Sequence, residues 1–119
     1  MSRLYLDYNS TTPVDPLVLE AMLPWFSEQF GNAASTTHAY GWQAAEAVKM
    51  AREQVATSIG AEAGEVIFTS GATESINLAL RGTARIWKDK GCHIISVVTE
   101  HKAVLDTLRD LEEEGAITT

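Results

Sequence analysis

The stretch FTSGATESINLAL, residues 68–80, joins an apolar pair to an apolar pattern that repeats as it does in a helix. A run of small polar residues around Gly71 stands between the two. A tight turn needs one glycine, whereas this turn also holds two threonines and two serines. The stretch therefore predicts a strand that passes directly into a helix, through a turn rich in hydrogen-bonding groups.

The second half of the chain continues this alternation of strand and helix. We predict strands at 65–69, at 92–98 and from 116 onward, with helices over 74–87 and 101–114 and Gly115 as a C-cap. Such an order indicates an α/β fold with a mainly parallel sheet flanked by helices. A parallel sheet needs both faces covered, so we expect these few strands to form part of a larger sheet, incomplete in this chain.

The first half of the chain reads as mostly helical. The alternation in RLYLDY, residues 3–8, predicts a short strand, and Asp15 followed by Pro16 predicts a helix start. That helix should run to about Pro24 or one turn further. Residues 30–41 read as a loop, and a long amphipathic helix is predicted from about Trp42 to Ser58, ended by Gly60.

The composition is that of an ordinary soluble protein of one domain. The 119 residues carry a net charge of −7 and form no basic stripe, which argues against nucleic acid as a partner. The single cysteine, Cys92, excludes an internal disulfide and suits a reducing compartment. No stretch has the length and apolarity of a signal peptide or a membrane span. We expect a cytoplasmic protein without membrane contact.

The turn after residue 69 has the features of an anion site. In parallel sheets ligands collect where strands end and helices begin. Here Gly71 permits a close backbone approach, the N–H groups of residues 72–74 point outward, and the Thr73 hydroxyl adds a donor. The turn lacks the lysine of a P-loop, which favours a cofactor phosphate over a nucleoside triphosphate. A purely structural role, in which Thr69, Ser70 and Thr73 cap the helix, is equally compatible with the turn alone.

The second strand-to-helix turn, VTEHK, places His101 at the start of the next helix. If the two strands are neighbours, this imidazole can stack on an aromatic cofactor ring or move protons near neutral pH. Taken alone, a surface histidine at a helix start is the more common situation. Cys92 and His93 are adjacent in a predicted strand and face opposite sides, so we predict no metal site.

Four ordered motifs resemble one known family. YLDYNSTTPVDPLVLEAM, FGNAASTTHAYGWQAAEAV, EVIFTSGATESINLAL and HIISVVTEHKAVLDT are similar to the N-terminal part of the cysteine desulfurases, in order and spacing. These are pyridoxal-phosphate enzymes of the aspartate-aminotransferase fold (fold type I). The resemblance implies that residues 1–14 are an N-terminal arm lining the substrate side. It further implies that residues 15–119 are the first part of the large, cofactor-binding domain.

The resemblance also implies roles for single residues. Ala72 and Thr73, next to Gly71, match the positions that hold the phosphate of pyridoxal 5'-phosphate, and His101 matches the histidine that stacks on the ring and moves protons. The complete enzyme removes sulfur from L-cysteine, leaving L-alanine and an enzyme persulfide for iron–sulfur cluster assembly. The family is homodimeric and passes its sulfur to a scaffold protein or another acceptor.

Two groups that the chemistry needs have no counterpart in this sequence. The family's Schiff-base lysine and persulfide cysteine lie downstream of the matched segment, so the chain alone is expected to be inactive. Its lysines (Lys49, Lys88, Lys90 and Lys102) and Cys92 stand in other contexts. Smaller departures from the family are Ser10, Ala33 and Ile76.

Two alternative functions stay open at this point. The residues present are equally compatible with a selenocysteine lyase or an aminotransferase of the same branch. A non-catalytic module that has kept an anion site and a protein-binding face is the alternative from a different class.

Overall fold

The computed structural model describes residues 4–119. The chain divides into two compact units, of which the first ends at Val66 and the second spans Ile67–Thr119. Each unit is described by itself.

The first unit begins with two short helices, α1 (Pro16–Met22) and α2 (Pro24–Ser27). The Asp15 carboxylate accepts a hydrogen bond from the N–H of Leu17 at 2.8 Å, which confirms the predicted cap. The sequence predicted one helix through this region. Two helices form because Pro24 has no N–H to continue the hydrogen bonding of α1 and instead starts α2.

A long helix, α3 (Ala39–Ile59), forms the rest of the first unit. It begins three residues earlier than predicted, because the His38 ring nitrogen Nδ1 accepts a hydrogen bond from the Gly41 N–H at 3.2 Å and so caps the helix. Gly60 ends α3 in the left-handed conformation (φ 69°, ψ 29°), as predicted. Gly41 is buried against Ser35 of the preceding loop.

Two predicted strands do not form among the described residues. Residues 4–8 of the first are not in a strand, while Arg3 lies outside the described residues. In the second, Ala63–Glu65 forms a 3-10 turn, and residues 66–69 are in neither a helix nor a strand. Ile67 and Phe68 are 65% and 48% exposed rather than buried. The apolar pattern of residues 65–69 is typical of a strand. A strand also needs a neighbouring strand that accepts and donates its backbone hydrogen bonds, and a sequence pattern does not supply one.

The second unit alternates helix and strand as predicted. Its elements are α4 (Ala72–Trp87), β1 (His93–Ile94), α5 (Lys102–Glu113) and β2 (Ile117–Thr118). The two strands pair in parallel, with His93 opposite Ile117 and Ile94 opposite Thr118. The parallel sheet is therefore confirmed, although β1 is much shorter than the predicted strand over 92–98. Gly115 was predicted as the C-cap of α5, but Glu114 takes that position, and Gly115 follows it with a positive φ of 99°.

The core of the second unit lies where α4 meets α5. The buried side chains there are Ala84 of α4 and Thr107, Leu108 and Leu111 of α5. On the surface of the same contact, Arg81 forms ion pairs with Asp110 at 2.5 Å and Glu114 at 3.3 Å. These contacts hold the two helices side by side.

Candidate functional site

The turn before α4 starts the helix without a side-chain cap. Gly71 occupies the N-cap position with φ 159° and ψ −178°, a region that residues with a side chain rarely adopt. A Cβ added at Gly71 would meet no atom within 4 Å, so the turn faces open space. The Gly71 carbonyl accepts the first helical hydrogen bond, from the N–H of Ser75 at 3.1 Å.

The hydroxyl groups of Thr69, Ser70 and Ser75 form hydrogen bonds within the turn and the first turn of α4, and none of them caps the helix. The Oγ1 atom of Thr69 lies 2.6 Å from the Oγ atom of Ser75. Ser70 donates from its backbone N–H and from its hydroxyl to the Glu74 carboxylate, at 2.6 and 2.7 Å. Within residues 4–119, no side chain accepts from the N–H groups of residues 72–74. The capping interpretation is therefore wrong, and these donors are available to an anion.

Glu74 carries a charge at this helix start. The backbone N–H of Ser70, and next its hydroxyl, lower the pKa of the Glu74 carboxyl below its ordinary value. The carboxylate thus stays ionised at neutral pH and holds Ser70 against α4. Sequence reasoning missed this residue because serine and glutamate are four positions apart, one more than in the familiar capping box.

His101 is the N-cap of α5. Its ring nitrogen Nδ1 accepts a hydrogen bond from the Ala103 N–H at 3.1 Å. Its own backbone N–H donates to the Glu100 carboxylate at 3.3 Å. The side chain is exposed to solvent, so the ring is accessible to a ligand.

The two helix starts lie at the same end of the α4–α5 pair. At 1.5 Å per residue, Arg81 is about 13 Å from the beginning of α4, and its partner Asp110 is about 12 Å from the beginning of α5. Lys88, after the end of α4, and Gly115, after the end of α5, line a common cavity. The helices therefore run parallel, which places the turn at Gly71 and the cap at His101 at one edge of the unit.

The structure thus brings together some of the predicted site residues but not all of them. Gly71, Ala72 and Thr73 share one exposed turn. His101 lies at the same end of the helix pair, yet in the described part of the chain no hydrogen bond joins it to that turn. The functional roles of these four residues stay predictions.

Three general properties of the described residues bear on the kind of site. The described residues hold no group of three or more His, Cys, Asp and Glu side chains arranged for a metal ion. Cys92 is a half-buried free thiol. Among the described helices, none combines the length and the apolarity required to cross a membrane.

The chain belongs to the class-V aminotransferase family, whose profile matches residues 4–118. Among its curated relatives, the cysteine desulfurase IscS of Anaeromyxobacter sp. (strain Fw109-5) is 59% identical over 112 residues. The cysteine desulfurase IscS of Neisseria meningitidis serogroup C (strain 053442) is 58% identical over the same length. These alignments cover 94% of this chain and 28% of each relative.

Solved structures give the same result for the fold. A NifS-like protein superposes with a TM-score of 0.88 at 41% identity, over 99% of this chain and 32% of the other. A structure described as SspA in complex with cysteine has a TM-score of 0.83 at 43% identity, over 97% of this chain and 33% of the other. DndA from Streptomyces lividans has a TM-score of 0.76 at 46% identity. The resemblance to cysteine desulfurases and the predicted fold class are thus confirmed.

Proposed function

We propose that this chain supplies the cofactor-phosphate turn and the proton-transfer histidine of a cysteine desulfurase. The activity is the pyridoxal-phosphate-dependent removal of sulfur from L-cysteine, with L-alanine and an enzyme persulfide as products. The observation that carries the proposal is the uncapped start of α4, in a chain 59% identical to a cysteine desulfurase over 94% of its length. The chain spans about a third or less of the relatives' length, so the activity belongs to the whole protein.

The donors of the turn fit a phosphate group. The N–H groups of residues 72–74 lie at the positive end of the α4 dipole, and Thr73, with its hydroxyl, belongs to this first turn of the helix. The open space around Gly71 permits close approach of a bulky anion. These residues would hold the phosphate of pyridoxal 5'-phosphate, which when bound supplies an electron sink for chemistry at the substrate α-carbon.

His101 is proposed as the catalytic residue of this chain. Its exposed ring lies at the same end of the helix pair as the turn, where it would cover the cofactor ring and move protons. Residues 1–14 would line the substrate side, although residues 1–3 of this arm lie outside the described residues. The Schiff-base lysine and persulfide cysteine would come from outside the matched segment, so the chain by itself is proposed to be inactive.

The partners and the compartment are further proposals. We expect the whole protein to be a homodimer that passes sulfur to an iron–sulfur scaffold or another acceptor. The resemblance to the cysteine desulfurases implies both properties. A cytoplasmic location is in keeping with the single free thiol, Cys92. Sedimentation of the purified intact protein and fractionation of cells would test these two points.

The test of the proposed function is a product assay on the intact protein with pyridoxal 5'-phosphate. L-Cysteine should yield equal amounts of L-alanine and transferable sulfur. Faster turnover of selenocysteine would instead indicate a lyase, and turnover of an amino-acid and keto-acid pair would indicate an aminotransferase. Cofactor binding without any turnover would support the non-catalytic alternative, and absence of cofactor binding would overturn the proposal.

A further inference from the structure

The hydrogen bond at the start of α5 determines which nitrogen of His101 carries its proton. Nδ1 accepts from the Ala103 N–H at 3.1 Å, and an accepting nitrogen must be unprotonated. A neutral imidazole holds one proton, which is then on Nε2. Among the described residues, no group forms a hydrogen bond with Nε2 of His101.

We propose that the α5 cap keeps neutral His101 in the Nε2–H tautomer, so that the ring meets a ligand as a hydrogen-bond donor. The tautomer is a property of the fold, whereas its use in catalysis rests on the proposed function. Ala103 is accordingly a positioning residue that acts through its backbone N–H.

The cap has a direct consequence for proton transfer. In the capped state Nε2 already bears a proton, so the ring can gain one only at Nδ1. That gain removes the lone pair that accepts from Ala103, and the cap opens. The imidazolium can then release the proton on Nε2, which leaves a neutral ring with its proton on Nδ1. His101 therefore cannot cap α5 and act as a base at Nε2 at the same time.

Among the described residues, Glu100 is the titratable group that forms a hydrogen bond with His101. The Glu100 carboxylate accepts from the His101 backbone N–H and not from the ring. It therefore does not compete with Ala103 for Nδ1. The same arrangement occurs at α3, where Nδ1 of His38 accepts from Gly41 at 3.2 Å. Two helices of one chain thus begin with an unprotonated Nδ1.

The experiment is long-range ¹H–¹⁵N NMR on the intact protein labelled with ¹⁵N-histidine, at a pH where the ring is neutral. His101→Asn identifies the signals by their loss. The expected spectrum has a pyrrole-type Nε2 and a pyridine-type Nδ1. Pyrrole-type Nδ1, or rapid averaging of both tautomers, would overturn the proposal.

A second variant tests the cause of the tautomer preference. Ala103→Pro removes the donor N–H at the second position of α5, and this N–H has no acceptor within the helix itself. We expect a mixture of both tautomers in this variant. An unchanged Nε2–H preference in folded Ala103→Pro would show that the cap is not its cause. The NMR measurement does not require desulfurase activity. A failure of the tautomer proposal can therefore be distinguished from a failure of the proposed function.

Discussion

The Glu74 carboxylate accepts two hydrogen bonds from Ser70, one from its backbone N–H at 2.6 Å and one from its hydroxyl at 2.7 Å. The Glu74 side chain of α4 thereby fixes the position of Ser70, the residue before Gly71. Charge-assisted hydrogen bonds of this length are stronger than neutral ones. The pair therefore holds the turn in the conformation that leaves the N–H groups of residues 72–74 free.

The first prediction concerns the response of this turn to acid. The pKa of Glu74 is lowered in the folded chain, so its contribution to stability is complete above the ordinary pKa of a glutamate. The contribution is lost as the pH falls through the lowered pKa of Glu74. A ¹³C-detected titration of the carboxyl group in the intact protein should show a midpoint below that of free glutamate.

Ser70→Ala is the matched control for this titration. The backbone N–H of Ser70 is the larger cause of the lowered pKa, and it remains in the variant. The midpoint should therefore rise only part of the way to that of free glutamate. A full return to the ordinary value would show that the hydroxyl, not the backbone, dominates.

The second prediction is that Gly71→Ala weakens the turn without any steric clash. The added Cβ meets no atom within 4 Å, so the whole cost comes from the backbone, at φ 159° and ψ −178°. Such conformations cost a residue with a side chain on the order of 1–3 kcal/mol. We expect lower stability in urea unfolding of the intact protein and weaker binding of pyridoxal 5'-phosphate.

Gly82→Ala, in the same helix, is expected to change the stability in the opposite direction. Gly82 lies within α4, and a Cβ there also meets nothing within 4 Å. Alanine in a helix interior is favoured over glycine by about 0.5–1 kcal/mol, so this variant should be more stable. If both variants lost stability equally, the backbone conformation of Gly71 would not be the reason.

The third prediction concerns the loop that precedes α3. A Cβ on Gly41 would lie 1.9 Å from the Ser35 carbonyl oxygen, which forces the loop away from the helix. Overpacking of this kind costs roughly 1–3 kcal/mol or more. Gly41→Ala should therefore unfold at clearly lower urea concentration. Gly64→Ala, where a Cβ meets no atom within 4 Å, should change stability by less than about 0.5 kcal/mol.

The sequence predicted the elements that depend on local chemistry. Asp15 and Pro16 start a helix because a carboxylate accepts from a free N–H and proline fits the first helical position. Gly60 ends α3 because it adopts a positive φ without strain. The polar turn at Gly71 could also be predicted from local residue types, because its threonines and serines are unusual in a simple connection.

Features that depend on distant partners could not be read from the sequence. Residues 65–69 have the pattern of a strand, but their pairing depends on a neighbouring strand that their own residues do not specify. The histidine caps were missed because histidine is not a preferred N-cap residue, and the use of Nδ1 depends on the ring orientation. The link from Arg81 to Asp110 joins residues far apart in sequence, so no local pattern indicates it.

The last prediction separates the two functions assigned to His101. His101→Ala removes the ring and the cap, so the intact protein should lose turnover by about 100-fold or more, a typical contribution of a general acid or base. It should also lose roughly 0.5–2 kcal/mol of stability with the cap. L-Alanine production from L-cysteine measures the first effect, and urea unfolding measures the second.

His101→Asn distinguishes these effects because asparagine is a good N-cap but cannot exchange protons as imidazole does. Its Oδ1 atom can accept from the Ala103 N–H in place of Nδ1. We expect stability close to that of the natural protein together with the full loss of turnover. Unchanged L-alanine production in either variant would remove the catalytic role. Equal destabilisation of both variants would mean that the hydrogen bond to Ala103 does not stabilise α5.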